Sequence, residues 1–170
     1  MPVSSEQHNP HNRAPGKAVA IPFFLKFLAT GFYFGYSPVA PGTAGTLVGL
    51  IIYLLPSFEQ SAIIGPAIVI GFLFGIYAGT KLERAFGHDP SPVVIDEIVG
   101  LWISLFLLPK TFLIVLGGFV VFRILDTVKP QPAKVFQKRG GGVSIMMDDV
   151  VAGAYTNIIM RLIIWLVALF

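Results

Sequence analysis

Five of the nine acidic residues in this 170-residue chain fall in three places: Asp96 with Glu97, Asp126, and Asp148 with Asp149. Each place borders a strongly apolar run, at residues 98–108, 111–122 and 150–170. Carboxylates at the mouths of apolar helices are costly to desolvate, and a hard divalent cation, which takes oxygen ligands, would offset that cost. Basic residues accompany the acids. Arg123 stands three positions before Asp126, hence on the same helical face, Lys129 follows, and Pro130 ends the segment. Lys138 and Arg139 precede three glycines whose backbone can approach an anion closely. The stretch SPVAPGTAGT, residues 37–46, is a Pro/Gly turn at a helix start. There Thr43 would act as the cap, and the free amides would bind phosphate. Acids for a metal beside Arg and Lys for phosphate are the parts of a phosphoryl site.

Each segment has a plainer structural reading as well. Prolines and glycines punctuate helix starts. Asp96 and Glu97 would favour the positive end of a helix dipole, and Arg123–Asp126 would be a simple ion pair. Lys138 and Arg139 could touch anionic headgroups alone. The pair Asp148–Asp149 has no comparable explanation. Adjacent helical residues diverge by ~100°, so Asp96 and Glu97 are expected to divide their roles, one on a metal and the other on a base or second ion.

The absences narrow the mechanism. Without cysteine there is no cysteinyl-phosphate intermediate, and His8 and His11 lie in a polar tail. Only His88, in the turn-like GHDPSP, remains as a histidine nucleophile, and no GxxxxGK[ST] loop occurs. Carboxylates with a metal are left, polarising a phosphate and activating water.

These groups must be positioned by membrane helices. The chain is 55% hydrophobic and 12% charged with a mean hydropathy of +0.78, an excess that points to lipid as the surrounding solvent. Residues 1–20 read as a disordered polar tail without a signal peptide, and residues 21–170 as one membrane-embedded domain. Residues 61–80 carry no charge and are long enough to cross a ~30 Å core. Residues 45–55 reach spanning length only if their helix begins near Pro41. Residues 98–108 and 111–122, joined by Pro109-Lys110, are too short to cross alone and form a helical hairpin or extend past their acids. The last run carries Arg161 and Asn157, read as structural, and residues 21–36, with Lys26, suit a helix lying in the interface. The fold class is therefore all-α: a multi-helix membrane bundle with a short hairpin and an interfacial N-terminal helix. Placing the N-terminus inside leaves ten of the twelve Lys and Arg cytoplasmic and brings residues 37–46, the Asp96 pair and residues 123–149 to one face.

The segments APGTAGTL, DEIVG, FRILDTVKPQP and GGGVSIMMDDVVAG, in this order and spacing, resemble the phosphatidylglycerophosphatase A family from about Phe32 to the C-terminus. The resemblance implies a bacterial, membrane-bound, Mg2+-dependent enzyme that converts phosphatidylglycerophosphate to phosphatidylglycerol. It implies that Asp96, Glu97, Asp126, Asp148 and Asp149 are the metal-site acids, with Asp96, Asp126 and Asp149 catalytic. Thr43, Arg123, Lys129, Lys138 and Arg139 are the expected phosphate contacts. Two positions depart from the pattern: Thr46 where serine is common, and Ser144 where glycine is expected. The rivals are a phosphatase for another lipid phosphomonoester and a small ion-coupled transporter, which would place acids near the midplane and show inverted repeats. No pattern suggests a nucleic-acid partner.

Overall fold

The computed structural model describes residues 21–87, 90–131 and 140–169. The expectations for the N-terminal tail, His88, Lys138 and Arg139 lie outside the described residues. Those residues are all-helical, with α1 Phe23–Ala29, α2 Pro41–Leu54, α3 Ser61–Phe86, α4 Ile95–Leu105, α5 Phe112–Val128 and α6 Gly141–Val167. A 3-10 turn, Phe34–Tyr36, follows α1. No strand occurs among the described residues.

Two helices, α3 with 26 residues and α6 with 27, are long and apolar enough to cross a membrane. At ~1.5 Å per residue each reaches ~40 Å, so both outrun a ~30 Å hydrocarbon core and carry polar residues beyond it. Their outward side chains, such as Val69, Ile70, Leu73, Leu162 and Trp165, are large, apolar and exposed, as a lipid-facing surface must be.

The short helix is the centre of the bundle. α4 packs on α2, α3, α5 and α6, and eight of its eleven residues are buried. Eleven residues reach only ~16 Å, so α4 stops partway down the bundle, where water cannot satisfy its last carbonyls. Side chains of α6 do so instead. Asn157 Nδ2 donates to the carbonyls of Ile103, Ser104 and Phe106 at 2.9–3.2 Å, and Arg161 Nη2 donates to Phe106 O at 3.1 Å. Arg161 Nε also holds Asn157 Oδ1 at 2.7 Å. The charge within the last span is thus a helix cap, a structural role. Close crossing of α4 and α6 depends on Gly100 and Gly153. A side chain at Gly153 would strike Gly100 O, and one at Gly100 would strike the Phe122 ring.

Three expectations need correction. Asp148 and Asp149 do not open the last helix; α6 begins at Gly141, two turns earlier. The glycines are drawn into that helix because α3 fastens them: Gly141 N–H donates to Glu83 Oε2 at 2.6 Å and Gly142 N–H to Thr80 Oγ1 at 3.0 Å. Those two amides are therefore engaged by the protein rather than offered to an anion. Thr43 does not cap α2 either. Its N-cap is Ala40, at φ 49, because Pro41 has the fixed φ and missing N–H that suit a first helical position. The interfacial helix is only seven residues long, stopped by left-handed Gly31, Phe32 and Tyr33. Its Lys26 sits 5.0 Å from the Tyr36 ring centre.

Candidate active site

α4 delivers Asp96 and Glu97 in its first turn, α5 delivers Arg123 and Asp126 in its last turns, and α6 delivers Asp148 and Asp149. Lys129 follows α5 in a left-handed conformation, φ 48, which turns the chain out of the helix. The five carboxylates and Lys129 line one cleft of about 200 Å³, closed on other sides by Gly42, Pro90 and Ser91. Segments separated by more than fifty residues in sequence thus meet at one end of the bundle.

Three acids form the tight group. One oxygen each from Asp96, Glu97 and Asp149 lies within 4.8 Å of the others. Opposite ligands of an octahedral Mg2+-sized ion stand ~4.2 Å apart, so small side-chain movements bring these oxygens into one coordination shell. Asp96 and Glu97 were expected to divide between two tasks, yet both reach the same space. Asp96 Oδ1, Glu97 Oε2 and Asp149 Oδ2 are buried without any hydrogen-bond partner. A buried ionised oxygen without a donor is costly, and an all-oxygen set of this kind fits a hard divalent cation.

The other two acids are paired. Asp126 Oδ2 accepts from Arg123 Nη1 at 2.7 Å, and Asp148 Oδ2 from Lys129 Nζ at 2.6 Å. Burial works against the Lys129 ammonium, but the Asp148 hydrogen bond and the nearby Asp149 and Asp126 carboxylates outweigh it and raise its pKa. Lys129 is therefore a fixed positive charge at any physiological pH. Two cations against five carboxylates leave the cleft short of positive charge, which is what a bound divalent ion supplies.

Some contributors escaped the sequence reading. Thr46, fully buried, accepts from Arg123 Nη1 at 3.2 Å and donates to Gly42 O at 2.8 Å, so it orients the guanidinium. A hydroxyl inside an otherwise apolar helical run was the available signal. Gly42 is needed for close approach: a side chain there would strike Glu97 and stand 3.2 Å from Arg123 Nη2. Thr80 and Glu83, which the sequence does not single out, accept from the first amides of α6 and anchor its start. Thr43 lies one residue beyond the cleft wall at Gly42 and does not line the cleft itself.

The sequence model of phosphatidylglycerophosphatase A matches residues 27–164. This chain belongs to that family. It is 40% identical over 129 residues to phosphatidylglycerophosphatase A of Escherichia coli, covering 74% of this chain and 75% of that one. The Haemophilus influenzae enzyme of the same name is 36% identical over 149 residues, 85% of this chain and 91% of its own. A Bacteroides thetaiotaomicron protein, provisionally named a phosphatidylinositol-3-phosphatase, is 44% identical over 155 residues, 86% of this chain and 98% of its own. No solved structure is significantly similar. Family membership makes the chain a lipid phosphatase, a phosphoric monoester hydrolase, embedded in a membrane. The acids of the phosphatidylglycerophosphatase A motifs gather at the end of the bundle rather than its middle, unlike the arrangement expected of an ion-coupled transporter.

Proposed function

We propose that this protein removes the terminal phosphate of phosphatidylglycerophosphate, with Mg2+, at the cytoplasmic face of a bacterial inner membrane. The observation that carries the reading is the trio of unpartnered buried oxygens on Asp96, Glu97 and Asp149. These three would hold the cation, with Asp126 and Asp148 beside them. Bound there, Mg2+ supplies charge neutralisation at the phosphate and a more acidic water.

The chain's own groups do the rest. Arg123 is held by Asp126 and Thr46 beside Gly42, next to two residues of the cleft wall, where its guanidinium would meet charge as it develops on the phosphoryl oxygens. The first turn of α2 begins at the cleft wall, where the amide of Gly42 would offer a donor to an anion. Asp126, beside Arg123 and Asp149, is the group to take a proton from the attacking water. Lys129 keeps Asp148 in place and would offer a second cation to the phosphoryl oxygens, with Lys138 and Arg139 following in the same connection.

The provisional name of the Bacteroides relative favours a phosphoinositide as the second reading. The test is phosphate release from purified protein in mixed micelles, with phosphatidylglycerophosphate, phosphatidylinositol 3-phosphate and phosphatidic acid compared, with Mg2+ and with EDTA. Release from phosphatidylglycerophosphate that stops with EDTA is expected. Preference for the inositol lipid, or release undisturbed by EDTA, would overturn the substrate or the metal assignment respectively.

A further inference from the structure

A second cleft, of about 360 Å³ and apolar in its lining, lies on the other side of the first turn of α4. Ile95, Ile98 and Trp102 of α4 form its floor, spaced as one helical face. Ala67, Ile70 and Phe74 of α3 form one wall. Ile52 of α2 forms the other, and Leu28 and Phe32 also line the cleft. α2 and α3 both pack on α4, and the groove is the gap between them. Ile70, on its rim, is 66% exposed, so the groove opens sideways toward the bilayer.

Its direction is set by α4. From Ile95 to Trp102 it descends about 10 Å from the acid end toward the middle of the bundle. Successive residues of one turn therefore serve two clefts: Ile95 lines the apolar one, while Asp96 and Glu97 line the acidic one. Between them stands Val94, fully buried and packed against Gly31, Gly35 and Gly45. A molecule with a phosphate at one end and a hydrocarbon chain at the other matches this pair of clefts on two sides of one helical turn.

We infer that the groove holds an acyl chain of the substrate while its phosphate occupies the acidic cleft, so that the lipid enters sideways from the bilayer between α2 and α3. The inference rests on the reading of the chain as a lipid phosphatase and adds where the tail goes. Two arguments favour the substrate chain over a loosely held bilayer lipid. The groove is walled on both sides, by α3 and by α2, whereas the outer faces of α5 and α6 are open to lipid. It also begins within one residue of the acids that would act on the headgroup.

The test uses the full chain purified in detergent and two probes, dioleoyl and dibutyryl phosphatidylglycerophosphate. Ala67→Trp fills the groove from α3, and Leu162→Trp on the outward face of α6 is the control. Ala67→Trp should raise KM for the dioleoyl lipid about tenfold or more, leaving kcat/KM for the dibutyryl lipid within about twofold. Equal effects on both probes, or none on either, would overturn the inference. A dioleoyl probe carrying a diazirine at the chain end, used on the wild-type protein, reads occupancy without turnover or mutation. Labelling concentrated at Ile52, Ala67 and Trp102 supports the groove. Labelling spread over the outer faces of α5 and α6 shows bilayer lipid only and overturns it. Groove labelling with no phosphate release from either lipid would keep the tail site and reject the phosphatase reading alone.

Discussion

Two groups of polar side chains sit inside this apolar bundle, and they are treated in opposite ways. At the tip of α4, Asn157 and Arg161 are matched donor for acceptor with the last carbonyls of the helix. At the other end of α4, Asp96, Glu97 and Asp149 each keep a buried oxygen without a partner. A fold that can satisfy polar groups at membrane depth in one place, and does not in another, has a demand there that something else meets. The Tyr53 hydroxyl is also buried without a partner, but it stands apart, and the clustering of unpartnered carboxylate oxygens is what marks the site. The Glu59–Lys110 pair at the far end agrees: its 2.8 Å contact is complete in itself.

Substitutions can break this contrast. Asp149→Asn should have the largest effect, lowering kcat by about 10³-fold while the protein still inserts and folds. Its sharper signature is thermal. Mg2+ should raise the melting temperature of the wild-type protein in detergent, because a ligand that binds only the folded state stabilises it, and should not raise that of Asp149→Asn. A preserved Mg2+ shift in the variant would show that the shortage at Asp149 is not a metal site. Asn157→Ala should do the reverse. It takes a donor from three carbonyls, leaving Ser104 O with none while Ile103 O keeps the Phe106 N–H and Phe106 O keeps Arg161, and should destabilise the protein by about 1–3 kcal/mol with activity per folded molecule kept, read from denaturation alongside phosphate release.

Smaller effects sharpen the comparison within the cleft. Arg123→Ala should reduce kcat by about 10²-fold, and Lys129→Ala by about tenfold, since Arg123 is fixed from two sides and Lys129 chiefly holds Asp148. Equal losses in steady-state kinetics would erase that distinction. Glu59→Gln should leave activity unchanged. The Lys110 hydrogen bond lowers the Glu59 pKa, so whatever the pair contributes is present at neutral pH and is lost as pH falls through the carboxylate range. A melting curve followed against pH should show at most a slight difference from wild type above that range.

Much of this contrast was legible in the sequence, and the misreadings share one cause. The all-helical bundle, the uncharged span within α3 and the gathering of five acids at one end follow from hydrophobic length and from the alternation of charge along the chain. Helix starts do not follow so readily. The glycines before Asp148 read as a loop because glycine weakens helices, yet Thr80 and Glu83, some sixty residues away, accept their amides and pull them into α6. Asp96 and Glu97 were separated by a rule for ideal helix surfaces that ignores side-chain length. Thr46 stood out only as a departure from the family pattern, because its worth lies in a contact with Arg123 on another helix. Local pattern predicted which residues matter, and long-range contacts decided what each one does.

The truncated centre of the bundle also bears on how the protein is made. α4 carries two acids in its first turn and ends in bare carbonyls, so it is ill suited to sit in lipid on its own. The donors that cap it belong to α6, which leaves the ribosome after α4 and α5. The hairpin of α4 and α5 must therefore wait, at the interface or beside α3, until α6 arrives. The central helix and the active site are completed together, because the same helix that caps α4 carries Asp148 and Asp149 into the cleft.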